Sequence, residues 1–273
     1  MKHDYRFVNE LIDIYKIYSN YDYAKKYKRM SAHEYQITIF SPEGKLHQIE
    51  YAFKAIKSCN LTSIGVRGRD CVAVCIEKKI DDRMIDPASI THIHRITSEV
   101  GCLVTGRESD GRAWISRLRH EAFKYLEENG HQIPVDILAM RAADIAQLYT
   151  QKSFMRPYAV ELMLFSVDNE RGPQLFGVDP AGHFMSYFGV SAGVKEHEAS
   201  DILEKEFKKR ENFNNLSEEE TIRVAIESLQ NTMGLDFKPT DIEVAMVNRE
   251  TRTFKKLSVE EIEANLQIIQ RFE

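Results

Sequence analysis

The chain has 273 residues, 43% of them hydrophobic and 29% charged, and a net charge of −5. That length can bury a sizeable core in one large domain or two small ones, and the balance is that of an ordinary globular protein. The acidic charge argues against a nucleic-acid or anionic-membrane partner, and no apolar run reaches the roughly 18 residues of a membrane-crossing helix.

Residues 1–30 read as an N-terminal extension. Seven basic residues, four acidic ones and six tyrosines crowd into 1–29. No apolar signal core is present, and the acidic residues argue against a transit peptide. Phe7, Leu11, Ile14 and Tyr18 recur at i, i+4, i+7 and i+11, the pattern of a short amphipathic helix suited to docking. The plainer alternatives are a mobile tail, or residues ahead of a second start at Met30. No linker, repeat or low-complexity segment follows, so 31–273 is expected to be one domain.

Ile37–Phe40 alternates weakly as a strand and runs into Ser41-Pro42-Glu43-Gly44. Serine first, proline second and glycine fourth are the preferences of a type I turn. Leu46, Ile49, Phe53 and Ile56 then mark an amphipathic helix ending near Cys59. Strands are predicted over Thr62–Arg67 and Cys71–Ile76, joined by Gly68-Arg69-Asp70, and again over His92–Ile96 and Gly101–Thr105.

The period then lengthens to 3.6. Ile115, Leu118, Ala122 and Tyr125 define a long helix stopped at Asn129-Gly130, and Pro134 suits the first turn of the next, which runs through Leu138, Ile145 and Tyr149. Strands return at Val160–Val167, Gln174–Val178 and His183–Val190, followed by helices around Glu198–Lys209 and from Ser217, where Ser217 and Glu220 form a capping box. Ile242–Val247 is the last strand. Ser258 and Glu261 cap a final helix that should turn Val259, Ile262, Leu266 and Ile269 inward. Strands in hairpins alternating with helices in pairs favour antiparallel sheets covered by helices, an α+β fold.

Chemistry is hard to find in this pattern. Gly189-Val190-Ser191-Ala192-Gly193 is a literal GxSxG, but a hydrolase elbow needs an acid and then a histidine downstream. Only His197 follows Ser191, so small residues packing a strand–helix joint are the better reading. His92 and His94, two apart in a strand, would share a face, yet no other histidine completes a metal-ligand spacing. Cys59, Cys71, Cys75 and Cys102 form no CxxC pair and read as buried free thiols in a reducing compartment. The basic run Lys205–Arg210 reads as a solvated helix face. No phosphate loop or dinucleotide fingerprint occurs, and neither cofactor nor metal is expected.

Phe40-Ser41-Pro42-Glu43-Gly44-Lys45 followed by Gln48-Ile49-Glu50-Tyr51-Ala52 closely resembles the signature of proteasome alpha-type subunits. The likeness continues through VRGRDC (66–71), EKKI (77–80), ITHIHRIT (90–97), GCLVTG (101–106), QLYTQ (147–151), MRP (155–157), GVDPAG (177–182), SAGVKE (191–196) and DIEVAMV (241–247). It spans residues 33 to about 270, and AFKAI with VRGRDC looks most like the subtype numbered six in one scheme and one in the other.

The resemblance implies a four-layer αββα sandwich of the N-terminal-nucleophile hydrolase type, with the extra N-terminal helix of alpha-type subunits. It implies a non-catalytic structural and gating subunit of the 20S core particle, serving ubiquitin-dependent and ubiquitin-independent degradation in cytoplasm and nucleus. The implied partners are neighbouring alpha subunits in a heteroheptameric ring, beta-ring subunits, and the regulatory particle or other activators through their C-terminal tails. Arg95 stands where the family places the lysine that receives those tails; arginine keeps the charge and can hold a carboxylate bidentately. Of the family's gate cluster, Pro42 and Tyr51 match, while the preceding Tyr-Asp-Arg triplet reads His33-Glu34-Tyr35, so only the acid survives. Catalytic beta subunits begin at a free threonine whose own amine is the base. Thr62 occupies the aligned place in mid-chain, and His92 falls near the position of their catalytic lysine. The rival readings are a peptidase processed to expose Thr62 as nucleophile, and a serine hydrolase using Ser191.

Overall fold

The computed structural model describes residues 40–80, 82, 84–152, 154–209 and 215–272. The boundary expected at residue 30, the amphipathic pattern from Phe7 to Tyr18 and the strand over 37–39 lie outside these. The chain falls into two compact units, Met1–His47 and Gln48–Glu273.

In the first unit the signature turn closes as its residues demand. Gly44 N–H donates to the Ser41 carbonyl at 2.8 Å, Ser41 N–H to the Lys45 carbonyl at 2.8 Å, and Lys45 N–H to Ser41 Oγ at 3.2 Å. Gly44 sits at φ +77°, where a side chain would be strained.

Helix α1 (His47–Ser58) follows, burying Ala52 and Ile56, and Asn60 breaks it with a left-handed φ of 53°. The elements after it are β1 (Thr62–Arg67), β2 (Cys71–Glu77), β3 (Ile93–Arg95), β4 (Gly101–Gly106), α2 (Glu108–Asn129), α3 (Val135–Gln151), β5 (Val160–Asp168), β6 (Gly172–Val178), β7 (Phe184–Ser186), β8 (Gly189–Gly193), α4 (Glu196–Lys209), α5 (Glu218–Met233), β9 (Ile242–Asn248), β10 (Lys255–Lys256) and α6 (Val259–Phe272). The strands form two five-stranded antiparallel sheets, ordered β10-β9-β2-β1-β8 and β3-β4-β5-β6-β7.

Alternation along single strands builds the layers. In β2, Val72, Val74 and Ile76 point to the space between the sheets, where they meet Leu103, Met163 and Phe165. Cys71, Ala73 and Cys75 point the other way, into a core made with α4, α5 and α6. In β5, Met163 and Phe165 face the first sheet while Leu162 and Leu164 pack beneath α2 and α3. Every face thus has a cover, and the order is helices, sheet, sheet, helices: the αββα sandwich. Ser217 and Glu220 form the expected capping box, and Gly130 ends α2 in the left-handed region.

Several expectations are corrected. The strand expected over His183–Val190 is two strands in different sheets. Phe184–Ser186 pairs with β6, whereas Gly189–Gly193 pairs with β1. At the crossing, Tyr187 N–H still donates to the Leu175 carbonyl at 2.8 Å, and the next carbonyl, Phe188, already accepts from Arg67 N–H at 2.8 Å. Pro134 is the residue before α3 rather than inside it. His92 lies before β3 and is buried. Cys59 is half-buried, whereas the other three thiols are buried, and all four are free. Val259 is exposed, although Ile262, Leu266 and Ile269 do face the core.

Candidate functional site

The end of the sandwich where β1 begins is where a nucleophile of this architecture would stand. Thr62 is fully buried, paired with Gly193 on β8, and its Oγ1 has no hydrogen-bond partner among the described residues. The peptide ahead of it is locked into the fold, because the Leu61 carbonyl accepts Val194 N–H at 3.0 Å. Gly193, at φ +106°, lets the chains approach so closely that a Cβ there would lie 2.0 Å from that carbonyl oxygen. Next to Thr62, the Ser63 and Thr105 hydroxyls share a hydrogen bond of 2.5 Å across the sheets.

His92 stands near the place that the likeness gives to a catalytic lysine, and the buried carboxyl of Glu161 accepts from the N–H of Gly193, the partner of Thr62. His92 is held by its main chain, its N–H donating to Glu243 Oε2 at 3.0 Å and its carbonyl accepting Val104 N–H at 2.9 Å. Burial holds its imidazole below the usual histidine range, so it stands neutral rather than as a lysine-like cation. Glu243, itself buried, gathers this corner together: it accepts from Thr91 and His92 and pairs with Lys256 at 3.1 Å and Lys78 at 3.4 Å. Those groups come from four separate stretches of chain, and no spacing in the sequence announces them.

Ser191 lies within β8 and is buried. Its Oγ donates to the Glu196 carbonyl at 2.8 Å and is 2.8 Å from Ser200 Oγ, so it ties β8 to the start of α4. It stands in a regular ladder opposite Ile64, not at an exposed elbow. Beside it a cavity of about 130 Å³ is lined by Phe53, Glu161, Asp179, His183, Tyr187 and Glu196. Among the described residues no group of three histidine, cysteine or acidic side chains is arranged to hold a metal, and no helix is long and apolar enough to cross a membrane.

The signature residues divide between the turn and the helix. Phe40, Ser41, Pro42, Gly44 and Lys45 make the turn; Gln48, Glu50 and Tyr51 stand on α1, with Tyr51 exposed. His33 and Glu34 lie outside the described residues. Arg95 ends β3, the edge strand of its sheet, and is exposed, with no carboxylate partner for its guanidinium among the described residues. Its carbonyl is held by Arg119, which donates from Nε at 3.0 Å and from Nη2 at 2.8 Å.

The four-layer sandwich defines a protein of the N-terminal-nucleophile hydrolase architecture, with a buried threonine inside the chain at the place where its enzymes keep their nucleophile. The family model for the proteasome subunit matches residues 59–247, and the one for the N-terminal signature of the A-type proteasome subunit matches residues 33–55. The chain is 45% identical over 233 residues to the probable alpha type-1 proteasome subunit of Schizosaccharomyces pombe, covering 85% of this chain and 94% of the relative. It is 40% identical over 230 residues to the alpha type-6 proteasome subunit of Caenorhabditis elegans, covering 84% and 92%. With the proteasome alpha subunit of Saccharolobus solfataricus it shares 34% over 233 residues, covering 85% and 94%. The chain belongs to the proteasome subunit family and is of the alpha type, the non-catalytic one.

Proposed function

We propose that this chain is a structural and gating subunit of the 20S core particle. It takes one position in a heteroheptameric ring between neighbouring alpha subunits, stands on the beta ring, and receives C-terminal tails of the regulatory particle or other activators. It works in cytoplasm and nucleus, in ubiquitin-dependent and ubiquitin-independent degradation, with 31–273 as its working domain. The observation that carries this reading is the alpha-type signature, a turn and helix that contain no reactive group and so have value as shape.

Within that reading Arg95 receives the tail carboxylate. Its exposure at the edge of a sheet, and a guanidinium without a carboxylate partner among the described residues, support the role. Pro42 and Tyr51, with His33 and Glu34 ahead of them, form this subunit's share of the gate. Native mass spectrometry of the tagged endogenous chain tests the assembly: recovery in a stacked-ring particle beside other alpha and beta subunits is expected, and recovery as a monomer or small homo-oligomer would overturn the proposal. Arg95→Ala tests the pocket: activator-stimulated peptide hydrolysis should fall while unstimulated hydrolysis is kept.

A further inference from the structure

At the end of the sandwich opposite the start of β1, four arginines from three segments line one cavity of about 290 Å³. Arg67 ends β1, Arg69 lies in the β1–β2 hairpin, Arg171 in the β5–β6 turn, and Arg249 directly follows β9; Glu170 and Pro173 complete the wall. Three of the guanidiniums are exposed and already share carboxylates. Arg69 Nε and Arg249 Nη1 meet the same Asp70, at 3.0 and 3.4 Å, and Arg171 Nη1 meets Asp136 at 2.5 Å.

Arg67 differs from these three. It is half-buried, with its guanidinium carbon 5.1 Å from the centre of the Phe188 ring and no carboxylate paired with it among the described residues. Burial pulls its affinity for the proton down, and no neighbouring charge among the described residues offsets that. Arginine stays protonated at any physiological pH, so a partly desolvated cation stands at the cavity with no counter-ion among the described residues. Among the described residues Glu170 is the one carboxylate that lines the cavity with the four arginines; Asp70 and Asp136 pair with three of them from outside it, and Glu218 and Glu250 stand with Arg69 and Arg249 around a neighbouring cavity.

We propose that this cavity is an anion site that takes a small phosphate-bearing molecule of the pyrophosphate or bisphosphate class. Guanidinium forks match phosphoryl oxygens bidentately, and forks arriving from several loops suit an anion with oxygens in several directions better than a single planar carboxylate. A volume of about 290 Å³ is at the small end of ligand pockets and too small for a folded partner. Arg67 is the anchor because its charge is the least hydrated and the least neutralised. Arg249 and Arg69 contribute by turning from Asp70 to the ligand.

The test titrates inorganic pyrophosphate into the full-length chain, in the assembly from which it is purified, against the same assembly carrying Arg67→Gln. One pyrophosphate per copy of the chain is expected to bind to wild type. Affinity should be at least tenfold weaker in Arg67→Gln, intermediate in Arg67→Lys (which keeps the charge but not the fork), and should fall as sodium chloride is raised. Arg249→Gln, at an exposed position that leaves the Phe188 contact intact, should weaken binding several-fold and serves if Arg67→Gln does not assemble. Equal binding by wild type and both glutamine variants would overturn the proposal. So would tighter binding of a short phosphoserine peptide than of pyrophosphate, which would make the occupant a modified protein segment.

Discussion

The guanidinium of Arg119, on α2, grips the main-chain carbonyl of Arg95 with two hydrogen bonds, 3.0 Å from Nε and 2.8 Å from Nη2. Arg95 ends an edge strand only three residues long, so few ladder bonds hold that end. A forked donor on the covering helix supplies what a longer strand would have supplied. The edge strand's last residue is thereby fixed to the helix layer, and the side chain of Arg95 starts from a fixed backbone.

Arg119→Ala should therefore loosen β3 locally without unfolding the protein. The bonds involve a charged donor but an exposed one, so the stability cost should be about 1 kcal/mol. Hydrogen exchange of peptides covering 93–100 should accelerate while β5 and β9 stay protected, and Arg119→Lys, with one point donor, should recover part of the protection. Unchanged exchange over 93–100 would show that pairing with β4 holds the strand unaided.

Asp110 carries a second local structure. It is buried in the first turn of α2 and accepts from Arg156 Nη1 at 2.5 Å, Arg156 Nη2 at 2.7 Å and Ala159 N–H at 3.0 Å, so it ties that helix to the segment entering β5. Burial alone would push its carboxyl up, but the Arg156 fork and the Ala159 N–H outweigh it and hold the group below the usual aspartate range. A carboxylate with a depressed folded pKa stabilises the fold above its unfolded pKa, and that stability is lost as pH falls through the folded pKa. Asp110→Asn should cost on the order of 2–3 kcal/mol at neutral pH, less than a fully buried pair because Arg156 is largely exposed. Urea denaturation of wild type should lose stability steeply from about pH 5 downward. The variant should show a shallower slope there, and parallel curves would remove Asp110 from the account.

Much of this was legible along the chain, and for one reason: local periodicity. CVAVCIE (71–77) alternates between two apolar faces and is a strand buried on both sides; Ser217 with Glu220, and Gly130, are helix ends that need no tertiary information. The break between β7 and β8 was not legible, because Tyr187 and Phe188 are good strand formers and their hydrogen-bond partners, Leu175 and Arg67, lie in different sheets. The site shows the same divide. The signature is contiguous and reads as a likeness, and MRP (155–157) reads so too, but its arginine acquires a purpose only beside Asp110, 46 residues away. Glu243 with Lys78 and Lys256, and the four arginines of the anion cavity, are assembled purely by strand pairing, so no window of sequence contains them.

Thr62 gives a test in which the structural and catalytic readings diverge. Its hydroxyl is buried with no partner among the described residues, so it gave up hydration on folding without a replacement. Thr62→Val exchanges that hydroxyl for a methyl group of similar size and should stabilise the protein by about 1 kcal/mol or leave it unchanged. Thermal unfolding of the purified chain should show an equal or higher Tm. Peptide hydrolysis by the assembly containing the variant should equal that of wild type. Loss of hydrolysis would reinstate Thr62 as a nucleophile.

Glu161 makes the fold's stability depend on pH in the opposite sense from Asp110. It lines the cavity beside Ser191, where burial raises its carboxyl pKa to about 7, with Glu196 and Asp179 adding repulsion; Lys57 and the Gly193 N–H oppose the shift without cancelling it. Between about 4.5 and about 7 the folded chain therefore keeps a proton that the unfolded chain has lost. Where the native state binds more protons, stability falls as pH rises, so wild type should weaken across that window and then level off. Glu161→Gln keeps the shape and stays neutral throughout. Urea denaturation at pH 5 and pH 8 should find the two proteins alike at the lower pH. The variant should be more stable at the higher one, by on the order of 1–3 kcal/mol, because the side chain is not fully closed off from water. If the difference between the proteins is the same at both pH values, the carboxyl is already ionised in the fold, and Lys57 and Gly193 outweigh the cavity's acids.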